Sequence, residues 1–179
     1  MHRLLLAGFG GQGIMVMGEL LAYAAMAAGK QVTYMPSYGP EMRGGTANCS
    51  VVVSEEPISS PIVSAPQVLV AMNEPSLVKF EGGVRPEGIV FVNRSLIQKE
   101  PGRGDIEYVF VDCAELARGI ASERLSNIVM LGAVFKKTGL VPLDALYEAM
   151  DKKFTGDKAK YIPANRKALG AFAAGEGLG

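Results

Sequence analysis

An apolar run, Leu4-Leu5-Leu6-Ala7, passes directly into Gly8-Phe9-Gly10-Gly11-Gln12-Gly13, and an Ala-rich segment with helical spacing follows at once. Few folds accommodate a strand, a glycine turn and a helix in so short a span. The pattern predicts a strand over residues 3–7 and a helix over 14–28 that Gly29 stops, the opening of a Rossmann-like sheet. In such a turn Gly8 allows a sharp reversal, Gly10 lets a ligand or another backbone come close, and Gly13 lets the helix pack tightly on the strand. The helix start offers unpaired N–H groups and a partial positive charge of about half a unit to an anion. Gly8, Gly10, Gly11, Gln12 and Gly13 are therefore candidate ligand-binding residues.

A second glycine-rich stretch, Pro36-Ser37-Tyr38-Gly39-Pro40-Glu41-Met42-Arg43-Gly44-Gly45, follows the next expected strand, residues 31–35. Two prolines restrict it, while its glycines permit close approach. Glu41 and Arg43 supply opposite charges, and Ser37, Tyr38 and Asn48 add neutral hydrogen-bonding groups. A loop at the carboxyl end of a strand stands where open α/β sheets bind ligands. Ser37, Tyr38, Glu41, Arg43, Gly44, Gly45 and Asn48 join the candidate set. The alternative is an ordered crossover whose arginine pairs with a local carboxylate.

Further along, the β-branched run over residues 47–54 reads as a strand, with Glu55-Glu56-Pro57 turning it toward a partner strand near Ile58. Val68-Leu69-Val70-Ala71-Met72 has the continuous apolar character of a buried parallel strand, and Asn73 and Pro75 open a short helix ending at Phe80. Strands are expected over residues 89–93 and 106–111. Helices follow over 114–121, 127–138, 142–154 and 163–174, the third with Leu143, Leu146, Tyr147 and Met150 on one face. The expected architecture is a Rossmann-like open, mostly parallel sheet flanked by helices, with a helical C-terminal third, in a single domain over residues 1–179.

Composition excludes several classes. Eighteen basic and eighteen acidic residues cancel, leaving no field to draw nucleic acid or an anionic membrane surface. Glycines and Glu19 interrupt the N-terminal apolar run, so it reads as strand, turn and helix rather than a signal peptide. No stretch reaches the ~18 apolar residues of a membrane span, and the expected location is cytoplasmic. Two cysteines and one histidine supply neither a zinc site nor the ~4 thiolates of an iron–sulfur cluster. Cys49 has no neighbouring base and reads as a buried strand residue. Lys152, Lys153, Lys158 and Lys160 form either a solvated face or an attractor for an anionic tail. The methionines read as adaptable packing, some of it at subunit contacts.

A glycine turn alone leaves a dinucleotide site open, but such sites carry an acid at the end of the second strand, and here that place holds Tyr34-Met35-Pro36-Ser37. A free-standing NAD(P)-dependent oxidoreductase is thus one alternative. A purely structural interaction module, whose glycines bind nothing, is another.

Taken together, GFGGQG at residues 8–13, PSYGPEMRGGTANC at 36–49, the strand and turn over 68–73, the Asn127 to Gly132 helix and Asn165 resemble the gamma subunit, or fused gamma domain, of 2-oxoacid:ferredoxin oxidoreductases. The resemblance covers nearly the whole chain and implies part of a larger enzyme. That enzyme oxidatively decarboxylates a 2-oxoacid with coenzyme A, giving acyl-CoA, carbon dioxide and reduced ferredoxin. It implies thiamine diphosphate, Mg and [4Fe-4S] clusters in partner subunits (alpha, beta and a ferredoxin-like delta), none of them held by this chain. It also implies a role covering the thiamine site and helping present CoA, with no catalytic residue of its own. Among substrates, 2-oxoglutarate or a branched-chain 2-oxoacid stands ahead of pyruvate.

Overall fold

A computed structural model describes residues 1–38 and 46–171. Residues 39–45 and 172–179 lie outside the described residues, and with them Gly39, Glu41, Arg43, Gly44 and Gly45 of the second loop. The strands are β1 (His2–Phe9), β2 (Gln31–Tyr38), β3 (Thr46–Ser54), β4 (Val68–Ala71), β5 (Ile89–Asn93) and β6 (Glu107–Val111). The helices are α1 (Ile14–Ala27), α2 (Glu74–Phe80), α3 (Cys113–Ile120), α4 (Ser126–Thr138), α5 (Leu143–Lys153) and α6 (Ile162–Ala171).

One mixed sheet carries them in the order β2-β3-β1-β4-β5-β6. The pairs β1–β4, β4–β5 and β5–β6 are parallel. On the other side β3 runs antiparallel to both β1 and β2. The mostly parallel sheet is therefore correct, but β3 is inserted against the grain beside the first strand. β2 also continues three residues past its expected end, to Tyr38, because Pro36, Ser37 and Tyr38 pair with Cys49, Asn48 and Ala47. With β1 on one side and β2 on the other, β3 has no need of the partner strand expected near Ile58, and residues 55–67 form none.

Each central strand is buried on both faces, which explains its unbroken apolar run. Leu4 and Leu6 of β1 and Val68 and Val70 of β4 face a large cluster shared with α1 and the helices α3 to α6. Leu5, Leu69, Ala71 and Val90 face a smaller one beneath α2, with Leu77 and Ile97. Asn73 caps α2 as the sequence implied, accepting a hydrogen bond from the Ser76 N–H at 2.9 Å. Gly29, at φ 73°, ends α1, and the Gly29 and Lys30 N–H groups donate back to Met26 and Ala25. No helix of the described residues is long and apolar enough to cross a membrane.

Two close helix packings depend on glycine. A Cβ at Gly18 would stand 2.5 Å from Cys49 Sγ and 2.7 Å from a ring carbon of Tyr34, so the tight seat of α1 on the sheet belongs to Gly18 rather than to Gly13. A Cβ at Gly132 would meet the Leu169 carbonyl oxygen at 2.2 Å, where α4 crosses α6. Because that obstacle is backbone, Gly132→Ala is expected to destabilise the protein by ~1–3 kcal/mol in urea denaturation. Gly119→Ala in α3, with nothing within 4 Å of the new methyl, should be neutral or stabilising.

At the far edge of the sheet, Glu81 is 7% exposed and receives the Tyr108 hydroxyl at 2.5 Å, the Gly102 N–H at 3.2 Å and the Lys99 ammonium at 2.8 Å. Burial pushes its pKa up, but these donors, Lys99 foremost, outweigh it and hold the carboxyl below its ordinary 4.5. A depressed carboxylate pKa stabilises the fold above the unfolded value, and that contribution disappears as pH falls through the folded value. The stability gap between wild type and Glu81→Gln should therefore narrow as pH drops from about 6 to about 3 in thermal melts. A gap that does not change with pH would show that Glu81 acts by packing alone.

Candidate functional site

Strand β1 ends at Phe9, and its glycine turn emerges at the carboxyl edge of the parallel strands. The turn is made by Gly11 at φ 98° and Gly13 at φ 74°, both in the left-handed region that side chains disfavour. Gly8 has a different part from the one the sequence suggested. A Cβ there would come within 2.7 Å of both Gln12 Oε1 and Ile14 Cδ1, so it is a packing position beneath the turn.

Gln12 ties the turn to the next parallel strand. Its side-chain oxygen accepts the Phe9 N–H at 2.7 Å and the Asn73 amide at 3.0 Å, and its amide donates to the Met72 carbonyl at 3.2 Å. Asn93, at the end of β5, donates to the same Met72 carbonyl at 3.2 Å. The polar ends of β4 and β5 and the glycine turn thereby form one floor.

Gly13 also carries the seam between two helices. A Cβ at Gly13 would stand 2.3 Å from Asn127 Nδ2, and Asn127 donates weakly to the Gly13 carbonyl at 3.4 Å. This contact sets the start of α4 beside the start of α1. Neither start carries a side-chain cap. Between them and the beginning of α3 opens a cleft of about 250 Å³, lined by Gly11, Gln12, Gly13, Asn93, Arg124 and Asn127 among others.

Arg124 stands in the short 3-10 turn Glu123–Leu125 and has no ion-pair partner among the described residues, while its neighbour Glu123 pairs with Arg118. The cleft therefore combines two helix starts without side-chain caps with the Arg124 guanidinium, beside a Glu123 carboxylate that is paired with Arg118. Such a place suits a phosphate or carboxylate.

Of the residues singled out from sequence, Gly11, Gln12 and Gly13 line this cleft. Ser37 and Asn48 lie opposite one another in β2 and β3, on the antiparallel side of β1, and Asn48 also pairs with Ala7. Tyr38 pairs with Ala47 at the same edge. The described ends of the second loop are thus brought to the carboxyl edge, since Thr46 pairs with Phe9. The strands on either side of the loop, β2 and β3, are antiparallel neighbours.

Arg124, Asn93 and Asn127 enter the site without having been marked as binding residues. Asn93 had a signal, a polar residue closing an apolar strand. Arg124 had none, for it sits in an unremarkable polar stretch. The insertion of β3 also separates β2 from β1, so β2 brings no acid beside the turn, where a dinucleotide site carries one.

Of the lysines read as a solvated face or an attractor for an anionic tail, Lys152, Lys158 and Lys160 are exposed and Lys153 is half-buried. Lys153 pairs with Glu19 of α1, whereas Lys160 lies over the Tyr161 ring at 5.2 Å. Both cysteines are buried. Burial pushes the Cys49 thiol up to about 12 against a weak opposing contact from the Gly18 backbone, and Cys113 is raised further by burial and by Asp112. Neither is a nucleophile at neutral pH. A thiol-reactive dye should label neither in the native protein and both after denaturation. Rapid native labelling of one thiol would refute its burial.

Comparison with known proteins places this arrangement in context. A family model described as pyruvate ferredoxin/flavodoxin oxidoreductase matches residues 3–174. Ketoisovalerate oxidoreductase subunit VorA of Methanothermobacter thermautotrophicus is 42% identical over 173 residues, covering 96% of this chain and 35% of VorA. The chain thus spans about a third of the length of that relative. 2-Oxoglutarate synthase subunit KorC of Methanocaldococcus jannaschii is 34% identical over 166 residues, covering 90% of this chain and 89% of KorC. The crystal structure of the keto/oxoacid ferredoxin oxidoreductase gamma subunit from Geobacter sulfurreducens superimposes with a TM-score of 0.83 over 97% of each chain, at 28% identity.

Proposed function

The chain belongs to the pyruvate ferredoxin/flavodoxin oxidoreductase family, and from that membership we propose that it is the gamma component of a 2-oxoacid:ferredoxin oxidoreductase. In this reading it works with alpha, beta and ferredoxin-like delta components, covers the thiamine site they form and helps present CoA. The observation that carries the reading is the similarity to KorC, which runs through nine-tenths of both chains. A branched-chain 2-oxoacid leads among substrates, because VorA shares more identity than KorC. 2-Oxoglutarate follows, and pyruvate stands behind both.

The chain's own residues fit binding rather than bond-making. Two buried thiols do not fit an iron–sulfur cluster, which takes about four thiolates. Among the described residues no group of three metal-ligating side chains converges. From the family resemblance, thiamine diphosphate, Mg and [4Fe-4S] are assigned to the partners, and no chemical step is assigned to this chain. Its contribution is an anion seat at the carboxyl edge of the sheet, with Gly10, Gly11, Gln12 and Gly13 supplying the turn. Gly8 packs beneath that turn, and Arg124 supplies charge from the opposite wall. Ser37, Tyr38, Glu41, Arg43, Gly44, Gly45 and Asn48 form the second element, assigned to face the thiamine site or CoA. Holding the thiol substrate in register contributes to rate by orientation.

Affinity purification of the tagged chain from its native cells, without oxygen and in mild salt, tests this directly. Thiamine- and cluster-bearing subunits should co-purify in fixed ratio, and the complex should reduce ferredoxin when given a 2-oxoacid and CoA. Recovery of the chain alone with bound nicotinamide nucleotide would overturn the reading. In the assembled complex, Arg43→Ala should lower kcat/KM for CoA by ~10- to 100-fold, the loss expected of one charge-assisted hydrogen bond, with assembly intact. Unchanged kinetics would remove Arg43 from the site.

A further inference from the structure

Asn93 closes β5, lines the cleft and is only 2% exposed. Its Nδ2 donates to the Met72 carbonyl at 3.2 Å, while its buried Oδ1 has no hydrogen-bond partner among the described residues. Rotating the amide would set its oxygen against the Met72 carbonyl oxygen, so the free atom is fixed as an acceptor. Thr33 Oγ1 and Arg166 Nε are also buried and unpartnered, but neither residue lines the cleft. Gln12, on the same floor, differs, because its oxygen already accepts from Phe9 and Asn73. Leaving a buried acceptor unpaired costs stability, and one that lines a cleft points to a donor on what the cleft binds.

The rest of the cleft favours negative charge. Helices α1 and α4, of 14 and 13 residues, begin there without side-chain caps, and Arg124 stands on its wall. Arg124 and Asn127 also line a larger cavity of about 670 Å³, between the starts of α1, α4 and α6 and the end of α5, but Asn93 lines the cleft alone. At about 250 Å³ the cleft falls below the ~300–1,000 Å³ usual for small-molecule sites, which suits a small ion. A fully ionised oxyanion would satisfy the helix starts and Arg124 but press its lone pairs against Asn93 Oδ1. Glu123, which also lines the cleft, adds a second acceptor. An oxyanion that keeps one proton resolves the conflict. Its charged oxygens accept from the N–H groups and the guanidinium, and its O–H donates to Asn93.

We propose that the cleft binds a small oxyanion that keeps a proton, hydrogen phosphate or hydrogencarbonate, and that Asn93 selects it by accepting its O–H. The inference rests on the reading of the cleft as an anion seat and deepens it by naming the class of anion. Selection comes from repulsion as much as attraction, since an oxyanion without a proton leaves two acceptors in contact. The two candidates share this chemistry and differ in shape, one tetrahedral and one planar, so the test separates them.

Binding of four ions to the full chain is measured by calorimetry near neutral pH. Phosphate is set against sulfate, both tetrahedral, and hydrogencarbonate against nitrate, both planar; only the first of each pair carries a proton. Wild type should prefer phosphate over sulfate, or hydrogencarbonate over nitrate, by ~10-fold or more, as expected of one hydrogen bond to a charged group. The pair that shows the preference identifies the ligand. Asn93→Leu, of similar volume, should reduce that preference to ~2-fold or less, whereas Arg124→Ala should weaken both members of the pair alike. Equal affinities within both pairs in wild type, or a preference that survives in Asn93→Leu, overturns the proposal and leaves a seat that does not discriminate among anions. Should Asn93→Leu fail to fold, the wild-type pairs decide alone. Binding of none of the four ions overturns the anion-seat reading itself, and the proposal with it.

Discussion

The contact between Gly13 and Asn127 is the constraint on which the rest of the site depends. A left-handed residue without a side chain lets α1 begin immediately after β1, and the same missing side chain leaves room for the Asn127 amide. Two helices that are distant in sequence therefore start side by side, neither with a side-chain cap. Gln12 locks the turn from below by bonding to Phe9, Met72 and Asn73, so the turn cannot shift without breaking three hydrogen bonds. A site built on such a locked turn loses little entropy when a ligand arrives.

The second organising feature is the reversed strand. A Rossmann unit would place β2 against β1 and carry an acid to the ribose of a dinucleotide. Here β3 occupies that place, and β2 is displaced to the edge. The displacement takes the end of β2 away from the glycine turn and returns the chain to the carboxyl edge, where Thr46 pairs with Phe9. The described ends of the second stretch, Tyr38 and Thr46, come to the strand end from which the first glycine turn leaves. The helical C-terminal third completes the other wall, since α4 supplies Asn127, while the end of α5 and the start of α6 enclose the larger cavity.

Much of the fold was legible in the sequence, and the reasons are local. Strands β4 and β5 are short apolar runs bounded by turn residues, and both stand within a residue of their expected limits. The Asn73 cap, the Gly29 stop and the apolar face of α5 follow from hydrogen-bonding groups and spacing that act within a turn or two of helix. The extension of β2 was not legible, because Pro36 and Gly39 signal a loop, and only the pairing with β3 keeps Pro36 to Tyr38 extended. Within the site, Gly11 to Gly13 were marked, while Arg124 and Asn93 gained their meaning from neighbours far away in the chain.

The sequence by itself determined that a strand, a glycine turn and a helix open the chain, that the parallel strands are buried on both faces, and that the family's paired loops are present. These properties depend on residue size, polarity and φ preference, which act over a few residues. Only the tertiary structure decided the direction of β3, the seat of α1 on Gly18, the meeting of α1 and α4 through Gly13 and Asn127, and the placing of Arg124 between two cavities. Each of these is a contact between distant segments, selected by which pairing buries the most apolar surface while leaving each backbone group bonded. No local pattern encodes that choice, because it belongs to the packed sheet and its helices together.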